Sequence, residues 1–204
     1  MTKKKAEEAF AAGIEAEEAV DVEKAFRSYQ AALKLDPTAV HARLRFSSLL
    51  FDQRKFKEAI HVARQIIRRR PRVYLAQCVI ASSYVELDRW ALAERFYRQA
   101  LAIKQTPFVW VLLAYVLDRR GQHHKAVNCL RKALKVDPDY EEAHYNLGCF
   151  YKFKGKLALA EKHLKRAIEI DRRYASAYAE LGQLLSQRKE QSLRPVGQEA
   201  GGCE

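Results

Sequence analysis

The sequence of 204 residues contains no long uncharged apolar run. No stretch approaches the roughly 18 apolar residues that a membrane-spanning helix requires, so we expect no such helix. The amino-terminal segment MTKKKAEEAFAAG begins with lysines, but two glutamates interrupt it before any apolar stretch. This order differs from that of a secretory signal peptide. The sequence therefore predicts a soluble protein of the cytoplasm.

Sequence motifs of catalysis and metal binding are also missing. There is no glycine-rich phosphate-binding loop, no GxSxG and no HExxH. The six histidines have no cysteine or carboxylate at a recognisable metal-ligand spacing, and no two of the four cysteines are spaced as CxxC. We expect Cys78, Cys129 and Cys149 to be buried free thiols and Cys203 to be exposed. The sequence predicts no catalytic residue, no metal and no cofactor, and therefore no enzyme.

Glycine and proline are scarce, with eight and five residues, which fits long helices joined by tight turns. The prolines that do occur follow a period. Pro71 lies 34 residues after Pro37, and Pro138 lies 67 residues after Pro71, which is one period of 34 and one of 33. Similar segments, AALKLDP and KALKVDP, end at Pro37 and Pro138. A fixed period of this size indicates a stack of similar supersecondary units.

Each period contains two apolar blocks at helical spacing, separated by a short polar turn. In the unit that begins at Pro107, the turn contains Gly121, which can take the left-handed conformation that ends a helix. The second block stops at Asp137-Pro138, because proline cannot continue a helix interior. The two blocks of this unit are Trp110, Leu113, Ala114 and Leu117, then Ala126, Leu130, Ala133 and Leu134.

This spacing resembles the tetratricopeptide repeat, whose two helices carry small residues at positions 8, 20 and 27 and a proline at position 32. The first unit has Gly13, Ala25, Ala32 and Pro37 at these positions, and the fifth has Gly148, Ala160 and Ala167. The resemblance implies an all-α fold, a right-handed superhelical solenoid of helix-turn-helix units. We predict units over 6–39, 40–73, 74–106, 107–140 and 141–174, a capping helix over 175–190, and disordered segments at 1–5 and 191–204.

In this family the first helix of each unit lines the concave surface, and the resemblance implies a partner-binding groove there. We predict that an apolar peptide or helix of another protein binds in it. The alternative is that superhelical curvature or the chain's own termini cover part of the apolar surface. The lysine and asparagine pattern of the family's clamp for acidic carboxyl termini is absent. The predicted groove residues are Leu75, Cys78, Val79, Ser82, Phe108, Val111, Leu112, Tyr115, Tyr145, Asn146 and Cys149.

The formal net charge is +12, and the basic residues concentrate in the second helices and turns of the later units. The densest run is Arg68, Arg69, Arg70 and Arg72. These residues form either a solvated outer face or a contact surface for an acidic protein, nucleic acid or anionic lipid. No aromatic residues that could stack on bases are interleaved with them, so we do not expect nucleic acid. The sequence predicts a non-enzymatic interaction scaffold or adaptor and specifies no oligomeric state. The alternative is a basic repeat protein that binds nucleic acid or an acidic partner through its Arg/Lys-rich convex face and turns.

Overall fold

The computed structural model describes residues 2–193, and α-helices make up most of this segment. The prediction of an all-α repeat fold is confirmed. The helices are α1 (Thr2–Glu18), α2 (Val22–Leu35), α3 (Val40–Asp52), α4 (Phe56–Arg69), α5 (Tyr74–Glu86), α6 (Trp90–Ile103), α7 (Pro107–Arg119), α8 (His123–Val136), α9 (Glu141–Phe153), α10 (Leu157–Ile170) and α11 (Ala175–Leu193).

The helices stack as five successive pairs followed by the single helix α11. Each helix packs on the next one along the chain, and the two helices of a pair make the more extensive contact. First helices also contact each other across units, α3 with α5, α7 with α9, and α9 with α11. Successive first helices therefore lie closer together than successive second helices, and the stack curves so that these odd-numbered helices line the concave face.

The turn inside each pair requires a left-handed residue at one fixed place. Backbone φ is positive at the fifteenth position of every unit, between 55° and 73°. Glycine adopts this conformation without steric cost, whereas a residue with a Cβ adopts it at a cost in energy. Only the fourth and fifth units place glycine there. The five residues are Val20, Arg54, Asp88, Gly121 and Gly155.

The small residues of the repeat lie where helices cross. A Cβ added to Gly13 would lie 2.4 Å from Cε1 of Tyr29, and one added to Gly148 would lie 2.7 Å from Cγ of Leu164. Only a residue without a side chain fits at these two crossings, because protein interiors are close-packed. The alanines at position 20 are likewise buried in all five units; they are Ala25, Ala59, Ala93, Ala126 and Ala160.

Both ends of the predicted repeat domain differ from the structure. Helix α1 begins at Thr2, so residues 2–5 are helical where the sequence predicts disorder. Lysine is a good helix former, and no proline or glycine separates Lys3 from the buried Ala6. Helix α11 ends at Leu193, three residues past its predicted end. The rest of the predicted disordered tail, residues 194–204 with Cys203, lies outside the described residues.

Helix α11 uses a different face from the one its sequence suggests. Tyr178 and Leu185 fall at positions that pack inside a complete unit, yet both are exposed. The buried residues of α11 are Ala177 and Leu184, which face the preceding pair. The physical reason is that α11 has no second helix after it within the described residues. The face of α11 that carries Tyr178 and Leu185 therefore stays uncovered in the predicted capping helix.

Candidate functional site

Large apolar side chains are exposed along the concave face. Leu75 is 44% exposed, Phe108 and Tyr115 are each 50% exposed, and Phe153 is 76% exposed. All four lie on first helices, from α5 to α9. Burying a side chain of this size is worth about 1.5–3 kcal/mol, so these positions would gain from contact with a partner.

The first of two concave pockets spans the amino-terminal four first helices and has a volume of about 600 Å³. Helices α1 and α3 contribute one wall, α5 contributes the other, and Phe108 of α7 closes the end. We call it the N-terminal pocket. Its lining residues are Phe10, Ile14, His41, Leu44, Arg45, Ser48, Phe51, Asp52, Leu75, Cys78, Val79, Ser82 and Phe108.

Two of the polar side chains that line the N-terminal pocket, Ser82 and Arg45, have partners within the protein. The Ser82 hydroxyl lies 2.8 Å from the hydroxyl of the buried Tyr97, which fixes its direction. Arg45 lies 3.6 Å from Glu17 and so brings its positive charge to the rim together with a counter-ion. Burial, with the Glu17 charge as a smaller cause, raises the pKa of Asp52 above its ordinary value. The pocket thus offers apolar contact with a polar edge.

The second concave pocket lies between α7, α8 and α9 and has a volume of about 420 Å³. We call it the C-terminal pocket. Its mouth carries the exposed rings of Tyr115 and Phe153, and its floor is made of α8 side chains. The lining residues are Ala114, Tyr115, Asp118, His123, Ala126, Val127, Leu130, Asn146, Cys149, Phe150 and Phe153.

Aromatic contacts hold the two exposed rings of the C-terminal pocket. The Tyr115 ring packs edge-on against Trp90, with ring centroids 6.1 Å apart. The Arg119 guanidinium lies over the same Trp90 ring, 5.3 Å from its centroid. The Phe153 ring lies 6.3 Å from the His123 ring. Because both rings are already held by neighbours, they lose little rotamer freedom when a partner binds.

The C-terminal pocket contains an acid–histidine pair and a thiol, but these groups do not make a nucleophile. Asp118 Oδ1 lies 2.7 Å from His123 Nδ1, an arrangement that orients the imidazole. Burial raises the pKa of the Cys149 thiol above its ordinary value, although its hydrogen bond to Tyr145 acts in the opposite direction. A reactive cysteine requires a lowered pKa. Within residues 2–193, no group of three potential metal ligands is present.

Eight of the eleven predicted groove residues line one of the two pockets. Val111 is only 8% exposed, and Leu112 and Tyr145 are half-buried outside both pockets. Val111 and Leu112 belong to the stretch of α7 between the pockets, which divides the predicted continuous groove in two. The N-terminal pocket holds Leu75, Cys78, Val79, Ser82 and Phe108, and the C-terminal pocket holds Tyr115, Asn146 and Cys149.

Sequence reasoning did not identify the floor of the C-terminal pocket. Ala126, Val127 and Leu130 are buried on the second helix α8, at positions whose spacing indicates ordinary core. The sequence did not single out His123 either, and the signal available was Asp118 five residues earlier, across the turn.

The predicted basic run occupies the end of α4 and the turn after it. Arg68, Arg69, Arg70 and Arg72 are all exposed. Arg69 donates a hydrogen bond from Nη1 to the carbonyl oxygen of Pro37 at 3.1 Å, which ties the ends of the first two units together. None of the four lines either concave pocket.

Two histidines form a pair inside the last complete unit. His144 Nε2 lies 3.0 Å from the Pro138 carbonyl oxygen, which can only accept, so Nε2 carries the proton. His144 Nδ1 lies 3.0 Å from His163 Nδ1, so one of the two nitrogens donates to the other. Burial, followed by the interactions with His144 and Lys162, lowers the pKa of His163 to about 4. His163 therefore packs α10 against α9 in its neutral state.

Comparison with known families agrees with this architecture. A "Tetratricopeptide repeat" profile matches residues 44–108, a "TPR repeat" profile matches 115–155, and a further "Tetratricopeptide repeat" profile matches 141–174. The chain belongs to the tetratricopeptide repeat family. Proteins of this family generally act as protein–protein interaction scaffolds, and the matches indicate no enzyme family. Among residues 2–193, none of the helices has the length and apolar character that crossing a membrane requires.

Two curated relatives of this tetratricopeptide repeat protein are much longer than it is. The general transcriptional corepressor ssn6 of Schizosaccharomyces pombe is 27% identical over 127 residues, which is 61% of this chain and 12% of ssn6. Anaphase-promoting complex subunit 3 of the same organism is 25% identical over 160 residues, 78% of this chain and 24% of the subunit. The chain thus spans a quarter or less of the length of these relatives.

Solved tetratricopeptide repeat structures share the fold. MamA superposes with a TM-score of 0.69 at 24% identity, covering 80% of this chain and 96% of MamA. YrrB, described as a TPR protein with an unusual peptide-binding site, superposes with a TM-score of 0.63 at 21% identity, covering 87% of this chain and 88% of YrrB. At these identities the likeness establishes the fold alone.

Proposed function

We propose that this protein is a scaffold or adaptor that binds an apolar segment of another protein in its concave groove. The observation that carries the proposal is the set of exposed apolar side chains, Leu75, Phe108, Tyr115 and Phe153, at the mouths of two concave pockets. Exposed apolar patches of this kind are typical of an interaction site. The peptide-binding site described for YrrB, which has the same fold, supports the same interpretation.

The two pockets indicate how the partner's side chains are spaced. Phe108 borders the N-terminal pocket and Tyr115 borders the C-terminal pocket, two turns apart on α7. Seven residues of helix span about 10 Å. A bound helix would present side chains i and i+7 at this separation, and an extended segment in the polyproline II conformation would present i and i+3 on one face, about 9 Å apart. We therefore expect two apolar anchors in the bound segment, at one of these spacings.

The pockets also favour apolar anchors over charged ones. The C-terminal pocket has a floor of alanine, valine and leucine, and its carboxylate, Asp118, is hydrogen-bonded to His123. A charged anchor would lose its hydration there without gaining a free counter-ion, which is unfavourable. Binding should consequently persist at high salt, since screening weakens ion pairs and leaves apolar contact unaffected.

The proposal can be tested with a library of random twelve-residue peptides displayed on phage and selected on the immobilised protein at high salt. We expect selected peptides to share two apolar anchors, and Phe108→Asp and Phe153→Asp each to weaken their binding about tenfold, the loss of roughly 1.4 kcal/mol. Both residues are at least half exposed, so their replacement leaves the core intact. Fluorescence anisotropy with the selected peptide measures the effect.

Leu159→Asp is the matched control, because Leu159 is an exposed apolar residue of the second helix α10, on the convex side. It makes the same chemical change away from the groove and should leave peptide binding unaltered. Selected peptides that bind the Phe108→Asp and Phe153→Asp proteins as tightly as the parent protein would contradict the proposal. Failure of the selection to yield any binder would contradict it too.

A further inference from the structure

A further cleft lies on the convex side of the molecule, opposite the two concave pockets. It runs between the second helices α6 and α8, with α7 as its floor, and has a volume of about 410 Å³. We call it the α6–α8 cleft. Its polar lining consists of Arg98, Gln105, Lys125, Asn128 and Lys132, together with the indole of Trp110.

The charge in the α6–α8 cleft is of one sign. Its lining contains three cations and no carboxylate. The nearest acid, Glu94, is already bound by Arg98 at 2.8 Å and by Arg120. Among the residues that the structure describes, Lys125 and Lys132 have no carboxylate within ion-pair distance, and Lys125 Nζ donates to the neutral Gln122 Oε1 at 2.8 Å. Two positive charges in the cleft are therefore without a counter-ion.

The cations of the cleft converge from two helices. Lys132 Nζ lies 4.6 Å from the centroid of the Trp110 ring, which fixes it over the cleft floor. Arg98 and Lys132 also both lower the pKa of the Cys129 thiol, although burial is the larger effect and raises it. The charges of Arg98 and Lys132 therefore both act on the region around Cys129, and an anionic group there would interact with both of them.

The cleft also contains a hydrogen-bond donor without an acceptor. Trp110 is only 9% exposed, and its indole Nε1 has no hydrogen-bond partner among the described residues. A buried donor that stays unpaired costs about 1–3 kcal/mol. Trp110 lines the cleft, so this unpaired donor belongs to a residue in contact with the charge of Lys132.

We propose that the α6–α8 cleft binds an acidic segment of a protein, whose Asp or Glu carboxylates pair with Lys125 and Lys132. Charge complementarity favours this occupant over an apolar one. The lining of the cleft disfavours a nucleic acid, because the only aromatic ring in it, that of Trp110, is buried and cannot stack on a base. The site is on the face opposite the concave groove, so it does not depend on the function proposed above.

Fluorescein-labelled hexaglutamate is a suitable probe, measured by fluorescence anisotropy at low and physiological salt. We expect the double variant Lys125→Glu, Lys132→Glu to weaken its binding at least about tenfold, which corresponds to roughly 1.4 kcal/mol. The matched control is Arg68→Glu with Arg70→Glu, which makes the same change in net charge in the exposed basic run outside the cleft. The control should retain most of the binding, and Phe108→Asp, which tests the groove, should retain all of it.

Tryptophan fluorescence localises the binding. The chain has two tryptophans, Trp90 and Trp110, so the Trp90→Phe protein reports from the cleft alone. Unlabelled hexaglutamate should change its emission. Equal losses in the two charge-reversal proteins would overturn the proposal, because they would indicate attraction by net charge. So would tighter binding of a single-stranded RNA decamer that competes with hexaglutamate for the cleft, or a Trp110 emission that stays constant at saturation.

Discussion

Replacing Gly148 by alanine should destabilise the protein, although alanine is the better helix former. The added Cβ would lie 2.7 Å from Cγ and 2.8 Å from Cδ2 of Leu164, and 3.3 Å from its backbone nitrogen. Leu164 is fully buried, so its side chain has no free space, and its nitrogen can retreat only if α10 moves. Such overpacking costs about 1–3 kcal/mol, and the helix preference of alanine over glycine returns about 1 kcal/mol. We expect a net loss of about 1 kcal/mol.

Gly182 provides a control at the equivalent position of the next, incomplete unit. No atom lies within 4 Å of a Cβ built there, because α11 has no partner on that face among the described residues. The same substitution, Gly182→Ala, should therefore stabilise the protein by about 0.5–1 kcal/mol. The two variants differ only in what the new methyl group meets.

Thermal unfolding followed by far-UV circular dichroism measures both effects. For a chain of this length, about 1 kcal/mol shifts Tm by roughly 2–4 °C. Gly148→Ala should lower Tm by that amount, and Gly182→Ala should raise it. A rise in Tm for Gly148→Ala would refute the steric argument, since it would show that α10 can shift at little cost. A fall for Gly182→Ala would indicate a contact on α11 that the described residues lack.

Two further predictions concern the turns and the histidine pair. Val20→Gly should stabilise the protein by about 0.5–1 kcal/mol and so raise its urea midpoint, because Val20 is an exposed β-branched residue at φ 59°. Gly121→Val should lower the midpoint. A shift of the midpoint in the same direction for both variants would contradict the requirement for left-handed backbone. The pKa of His163 is about 4 in the folded protein, against an ordinary value of 6.5. As pH falls from about 6.5 to about 4, the unfolded chain therefore binds the proton before the folded protein does, and stability is lost. The loss is about 1 kcal/mol near pH 5 after allowance for partial exposure. His163→Phe should reduce the fall in Tm between about pH 7 and pH 5, and an unchanged fall would exclude His163 as its cause.

The sequence pattern located the concave side chains because the fold repeats. Once the period assigns a position within the unit, it also assigns a helix face, as for Leu75 and Phe108 at position 2 of their units. The pattern failed for Val111, which is buried although its position faces the groove in the repeat. Burial at one position depends on the side chains of neighbouring units, and the period carries no information on those.

The resemblance to the tetratricopeptide repeat implied a concave face lined by first helices, and by itself the sequence determined helix pairs in register with small residues at the helix crossings. It did so because a short period constrains every unit by the same local rules. Only the tertiary structure decided that the groove is two pockets divided by α7, that α8 forms the floor of one, and that Arg98 and Lys132 share a convex cleft. These features arise from the angles and spacing between stacked helices. Residues distant in the chain set that geometry, and no local pattern encodes it.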